Sequence, residues 1–248
     1  MDVGRHQDEI LLNRSYWEKK PLLRRIYREF HGLIAARLSG LENPLIVELG
    51  SGIGNIQEAI PGCLRTDLFP NPWLDQVENA YELSFGDGQV SDLILFDVFH
   101  HLHYPGTALR EFGRVLRPGG RVLVFDPCIS ALGAVVYGAL HPEPVAWFAP
   151  IVWDAPQGWS ARQADYYAAQ GNATRVFFGT EASRLPGGWK IVHRQRLAAI
   201  AYVASGGYSK PQLYPDSFYP ALRALEPALN LFPGLFATRL LVVLEKQA

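Results

Sequence analysis

The chain has 248 residues, 48% hydrophobic and 19% charged, enough apolar material for one α/β domain with a cap and too much for a disordered chain. A formal net charge of −1 excludes a general pull toward nucleic acid, and no run approaches the ~18 apolar residues of a transmembrane helix. Cys63 and Cys128 lack metal-ligand spacing and suit a reducing, cytoplasmic setting, the polar start Met1 to Glu9 is no signal peptide, and no metal site is expected.

Residues 1–12 read as a flexible lead, and Ser15-x-x-Glu18 as a capping box. Leu22, Leu23, Ile26, Phe30, Leu33, Ile34 and Leu38 recur at helical spacing and predict an amphipathic helix. Its outer face carries Arg24, Arg25, Arg28 and Arg37; this reads as a solvated face, with contact to an anionic group or membrane as the sharper alternative. Leu45 to Leu49 is a buried parallel strand with Glu48 inside it. Gly50-Ser51-Gly52-Ile53-Gly54 follows at once, and Asn55 to Ile60 reads as a helix start. Strand, glycine turn and helix bring backbone N–H groups close to a ligand. The spacing G-x-G-x-G is not the dinucleotide G-x-G-x-x-G, and no Gly-Lys-Ser/Thr marks a P-loop. Cys63 to Asp67 is a second short strand, and an acid at its tip, followed by Leu68, can accept hydrogen bonds from a ribose diol.

Asp92 to Phe96 is a buried strand opening into Asp97 to His101, and Arg114 to Gly120 reads as a helix end and turn before a strand over Arg121 to Pro127. Together with Glu-x-Gly-x-Gly-x-Gly at 48–54, the stretch Asn79-Ala80 through Phe96-Asp97 and His100-His101-Leu102 to Arg114-Val115-Leu116-Arg117-Pro118-Gly119-Gly120 closely resembles the class I S-adenosyl-L-methionine (SAM)-dependent methyltransferases of type 11. Asn79 stands where that group often has Asp, and Ser84 where it often has Pro. The resemblance implies an α/β, Rossmann-like, seven-stranded, mostly parallel sheet with helices on both faces and an antiparallel last strand. It implies SAM as cofactor and S-adenosyl-L-homocysteine as product. The amino-acid end would lie at Gly50, Ser51, Gly52 and Gly54 with Glu48, the ribose at Asp67 and Leu68, and the adenine near Asn79, Ala80 and Phe96. Asp97 and His101 complete the expected cofactor contacts. His101 and Asp126 are the candidate catalytic groups, His101 as a general base and Asp126 as a strand-tip acid orienting a substrate.

Beyond the core, Ile129 to Leu140 fits a buried helix, Ser160 to Gln170 a helix ended by Gly171, and Val176 to Gly179 a short strand or turn. Trp147, Phe148, Trp153, Trp159, Tyr166, Tyr167, Phe177, Phe178 and Trp189 make this stretch a helical, aromatic cap. Lys190 to Val203 and Phe236 to Leu244 are the expected closing strands, with loop 204–211 reaching toward the site and a helix around Phe218 to Leu229. The expected boundaries are a helical lid at 1–40, the SAM-binding core at 41–128, the cap at 129–189 and the sheet's C-terminal part at 190–248. The expected activity is methyl transfer to a small-molecule, sugar or lipid-linked acceptor, apolar or aromatic in character. The alternatives are a non-catalytic, methyltransferase-like binding protein and a membrane-peripheral component of lipid or glycan assembly. No nucleic-acid partner is expected, and the sequence leaves the oligomeric state open.

Overall fold

The computed structural model describes residues 3–164 and 167–247. Seven strands form one sheet: β1 (Ile46–Leu49), β2 (Leu64–Asp67), β3 (Gln76–Val77), β4 (Val90–Phe96), β5 (Leu116–Pro127), β6 (Trp189–Leu197) and β7 (Arg239–Lys246). Their order is β3-β2-β1-β4-β5-β7-β6. β1 pairs in parallel with β2 and β4, and β4 with β5, whereas β7 runs antiparallel to both β5 and β6. The chain leaves β1 toward β2 and β3, then returns to add β4 on the other side of β1. That reversal opens a crevice beyond the carboxyl ends of β1 and β4, the place where open α/β sheets bind ligands.

Alternation along the central strands sorts the core onto two faces. Val47, Leu49, Leu93, Leu95, Val122, Val124, Leu240 and Val242 pack with α3 (Pro105–Val115), whose Ala108, Leu109, Phe112 and Val115 are fully buried. Ile94, Phe96, Leu123, Phe125, Leu241 and Val243 pack on the other face against α2 (Pro21–Ala35) through Leu23, Ile26, Phe30 and Ile34. Each such side chain contributes roughly 1.5–3 kcal/mol on burial. The outer arginines of α2 are surface groups: Arg25 lies 3.9 Å from Glu29, and Arg28 3.9 Å from Glu58.

Several local expectations are corrected. α1 (Val3–Lys19) runs through most of the expected lead, so Ser15 is mid-helix and caps nothing. Ile10 and Trp17 anchor it, Trp17 against Tyr27 and Tyr208. β5 begins at Leu116, so Arg117-Pro118-Gly119-Gly120 belongs to a strand with a register shift opposite Val90 and Asp92. Gly120 is required there, because a Cβ would sit 2.8 Å from the Ser91 carbonyl oxygen. α4 (Ala131–Ala139) is capped by Ser130, yet it buries only Gly133 and Tyr137 and leaves Val135 exposed. The expected cap helix is a single 3-10 turn at Ala161–Gln163; Asp165 and Tyr166 of that stretch lie outside the described residues. Gly171 instead starts α5 (Asn172–Phe178), which stands where a short strand or turn was expected at 176–179. β6 stops at Leu197, before α6 (Ile200–Ala204); α7 (Tyr219–Leu229) and α8 (Pro233–Phe236) then lead into β7.

Candidate functional site

The turn after β1 holds Gly50, Gly52 and Gly54 in the left-handed region, with φ of 69°, 51° and 68°. A Cβ on Gly50 would meet Val98 Cγ2 at 2.4 Å, and one on Gly54 would meet Arg65 Cδ at 2.8 Å and the Trp73 carbonyl oxygen at 2.9 Å. A Cβ on Gly52 would meet nothing within 4 Å. The outer glycines are thus closed in by protein, and the middle one faces open space. The segment after the turn is a single 3-10 turn, Asn55–Glu58, rather than an α-helix, because Pro61-Gly62 breaks the chain directly beyond it.

β2 fastens this turn. The Ser51 N–H donates to the Thr66 carbonyl oxygen at 2.8 Å, and the Gly52 N–H donates to Asp67 Oδ2 at 3.1 Å. Asp67 also accepts from the Phe69 N–H, and Leu68 beside it is partly exposed. Glu48, fully enclosed beneath the turn, has no hydrogen-bond partner at Oε2. Burial pushes its carboxyl up to about 7, with the Asp67 charge adding to the rise and a hydrogen bond from Ser51 opposing it. An acid left half-satisfied in the core leaves a place for a cation to complete it.

Of the sequence-predicted residues, Glu48, Gly50, Ser51, Gly52, Gly54, Asp67 and Leu68 gather around this turn. Asn79 holds the cap: its Nδ2 donates to the Ala161 carbonyl oxygen at 2.9 Å and its Oδ1 accepts from the Tyr81 N–H at 3.0 Å. Ala80 packs on the α3-side core. Phe96 departs from the expectation: its ring lies in the α2-side core, stacked on Tyr27 at 5.1 Å and Phe125 at 4.9 Å. Asp97 takes a positive φ of 58° and pairs with the buried Arg239, whose guanidinium also lies 4.6 Å from the Tyr202 ring.

The catalytic assignments change. Asp126 is fully buried and accepts through Oδ2 from the His100 backbone N–H at 3.0 Å, with His100 Nδ1 at 3.1 Å. Enclosed by protein, it faces His100 rather than open space. Burial pulls the His100 imidazolium down, but Asp126, aided by Glu143, outweighs this and holds it up at about 10. His101 Nδ1 lies 2.7 Å from the Tyr167 carbonyl oxygen. Burial and the His100 charge lower His101 to about 4, which makes it a weak base and a poor proton acceptor near neutral pH.

Two contributors carry no local sequence signal. Lys20 Nζ donates to the carbonyl oxygens of Ser205, Gly207 and Lys210 at 3.2, 2.8 and 2.5 Å. It thereby clamps loop 204–211, from which the Tyr208 hydroxyl accepts from Asn55 Nδ2 at 2.9 Å. The other is Arg239, met above only across the fold. Next to Asn79 an open cleft of about 230 Å³ is lined by Tyr81, His103, Tyr104, Trp159, Gln163 and Ala164. His103 is stacked between Tyr104 and Tyr167, each centroid 4.4 Å away.

Residues 47–124, which hold the glycine turn, Asp67, Asn79 and the segment after β4, match the model of the methyltransferase domain family Methyltransf_11. Over that span the chain resembles a type 11 methyltransferase domain. Over 47 residues it is 45% identical to the uncharacterized protein YafE of Escherichia coli strain K12, a match spanning 19% of this chain and only 23% of that relative's length. A chain of the complex containing the Haloferax volcanii Trm112 methyltransferase activator superposes with a TM-score of 0.53 at 16% identity, covering 95% of this chain and 93% of its own. Geranyl diphosphate methyltransferase, solved with SAM, superposes with a TM-score of 0.51 at 12% identity, covering 88% and 85%. At these identities the likeness is one of fold. The seven-stranded sheet agrees with the fold expected from the sequence, and among the described residues no helix is long and apolar enough to cross a membrane.

Proposed function

We propose that this chain binds SAM on the glycine turn and transfers its methyl group to a small-molecule acceptor admitted along the aromatic cleft. One observation supports the reading most: a buried carboxylate oxygen of Glu48 without a partner lies beneath a turn whose central glycine opens to free space. An α-amino acid ligand brings an ammonium for that oxygen. When bound, SAM supplies a methyl already activated on a sulfonium. The chain's own residues then hold and orient. The backbone from Gly50 to Gly54 receives the amino-acid end, Asp67 with Leu68 the ribose, and Asn79 with Ala80 the adenine edge. Asn79 keeps one lone pair of Oδ1 for an amino donor while its other groups fasten the cap. Tyr81, Tyr104 and Trp159 present apolar faces with polar edges, suited to an apolar or aromatic acceptor. Orientation alone can reach effective molarities of about 10⁵ M or more, so a dedicated base is not required for an amine or enolate acceptor.

Calorimetric titration with SAM and S-adenosyl-L-homocysteine tests the reading. Asp67→Ala weakens both ligands to a similar degree, by about 10- to 100-fold, the worth of one or two hydrogen bonds to a charged acceptor. A fall in methylation rate with unchanged affinity would remove Asp67 from the ribose. The pH dependence is specific to Glu48. In the free protein its carboxyl is raised from 4.5 to about 7, and a bound ammonium favours the ionised form. Binding therefore releases a proton, and affinity climbs as pH rises from about 6 to about 7.5. Glu48→Gln flattens that climb; a slope unchanged in this variant would assign the proton elsewhere.

A further inference from the structure

At the carboxyl end of β4, three side chains from distant parts of the chain converge between the sheet edge and the cap. His100 and His101 stand on the 3-10 turn Phe99–His101, and Glu143 lies beyond α4. His100 Nε2 is 3.6 Å from Glu143 Oε2, and His101 Nε2 is 3.8 Å from Glu143 Oε1. One donor atom from each of the three lies within 4.8 Å of the others. Two ligand atoms bound to one tetrahedral zinc, at about 2.0–2.2 Å each, sit roughly 3.4 Å apart. The two closest pairs, made by different oxygens of Glu143, lie within half an ångström of that spacing, and the remaining approach asks for a shift of at most about 1.4 Å.

The surroundings are arranged as metal sites arrange them. A ligating imidazole commonly gives its second ring N–H to a carboxylate or a carbonyl oxygen, which fixes the tautomer and aims the other nitrogen inward. Both histidines are held in that way. His100 Nδ1 faces Asp126 Oδ2 at 3.1 Å, and His101 Nδ1 faces the Tyr167 carbonyl oxygen at 2.7 Å. In each ring the nitrogen turned toward Glu143 is therefore Nε2. Charge points the same way: Asp126 and Glu143 address one imidazole from opposite nitrogens, and a divalent cation balances both carboxylates. A further, independent observation is Gln170. It is 2% exposed, its Nε2 donates to Glu143 and lies 3.3 Å from His100 Nε2, and its Oε1 is buried without a partner. Turning that amide over would exchange its donation to Glu143 for an oxygen aimed at the same point, an arrangement that a cation between the two oxygens makes favourable.

We infer that His100, His101 and Glu143 form a binding site for a divalent first-row transition metal, Zn²⁺ by donor type, with Gln170 or water completing the coordination. Two imidazoles and one carboxylate with an open position is a donor set that suits zinc. The ion joins the β4 edge and β5, through Asp126, to the cap segments that carry Glu143, Tyr167 and Gln170. The site clasps the cap over the crevice.

The test uses the whole, tag-free chain after chelator treatment, without SAM. Titration with Zn²⁺ alone gives saturable binding at one ion per chain and a raised melting temperature. Co²⁺ alone gives the visible absorption of a four- or five-coordinate nitrogen and oxygen site. Glu143→Gln abolishes the Co²⁺ spectrum, and Asp126→Asn weakens Zn²⁺ binding by about 10- to 100-fold, as loss of a carboxylate behind a ligating imidazole does. His101→Gln, on a ring 31% exposed, replaces either variant that fails to fold by circular dichroism. The inference is overturned if neither ion binds saturably, which would leave Asp126, His100 and Glu143 as a hydrogen-bonded charge relay. It is equally overturned if binding persists unchanged in Glu143→Gln or His101→Gln.

Discussion

Gly52→Val abolishes SAM and S-adenosyl-L-homocysteine binding in a calorimetric titration while the chain stays folded. The two halves of this result have separate physical causes. Inside the protein the new side chain meets nothing within 4 Å of its Cβ, so no packed neighbour is displaced. The cost to folding comes from holding a β-branched residue at φ 51°, of order 1–3 kcal/mol. The isopropyl group then fills the open space in front of the turn, where the proposed ligand lies. Gly50 and Gly54 would not separate the effects. A Cβ on either meets Val98, or Arg65 and Trp73, at under 3 Å, so loss of binding there would follow from damage to the turn. Micromolar affinity retained in Gly52→Val would reject the glycine turn as the cofactor site.

Arg239→Met lowers thermal stability measurably. The guanidinium is 2% exposed, pairs with Asp97, and lies within 6 Å of the Tyr202, Phe96 and Phe125 rings. Methionine matches its stem but leaves the Asp97 carboxylate without its counter-charge in a conformation that already carries a positive φ. Removing one partner of a buried pair costs about 3–5 kcal/mol. Asp97 is 31% exposed, and water can solvate part of the orphaned charge, which puts the expectation at the low end, about 3 kcal/mol. For a chain of this length that is a fall of about 6–12 °C in melting temperature. Differential scanning calorimetry reads it directly; an unchanged melting temperature would mean that the pair contributes nothing net.

What the sequence revealed and what it hid have physical reasons. The strands around 46–49, 92–96 and 121–127 are legible because a doubly covered sheet needs continuous apolar runs, and the glycine turn because only glycine tolerates three positive φ values in so short a span. The segment before β1 was harder. Only Ile10 and Trp17 of α1 are buried among its described side chains, so no apolar stripe announces the helix. The cap resisted because its aromatic residues follow neither helical nor strand period; their contacts, such as His103 between Tyr104 and Tyr167, are set by the fold. Phe96 ends β4, a position that predicts a cofactor contact, whereas strand alternation turns its ring to the α2 face. Arg239 with Asp97, and Glu143 with the two histidines, are pairs separated by long stretches of chain. No local spacing encodes such meetings; sheet order does.

The position of β7 carries a consequence for biogenesis. β7 lies between β5 and β6, so the last of these seven strands in chain order is an interior one. During synthesis β5 emerges with one hydrogen-bonding edge unsatisfied, and β6 has no neighbour to join until Arg239–Lys246 leaves the ribosome. For that interval the nascent chain presents an apolar β-edge of the kind that invites mispairing with other chains. Completion of the sheet therefore waits for β7.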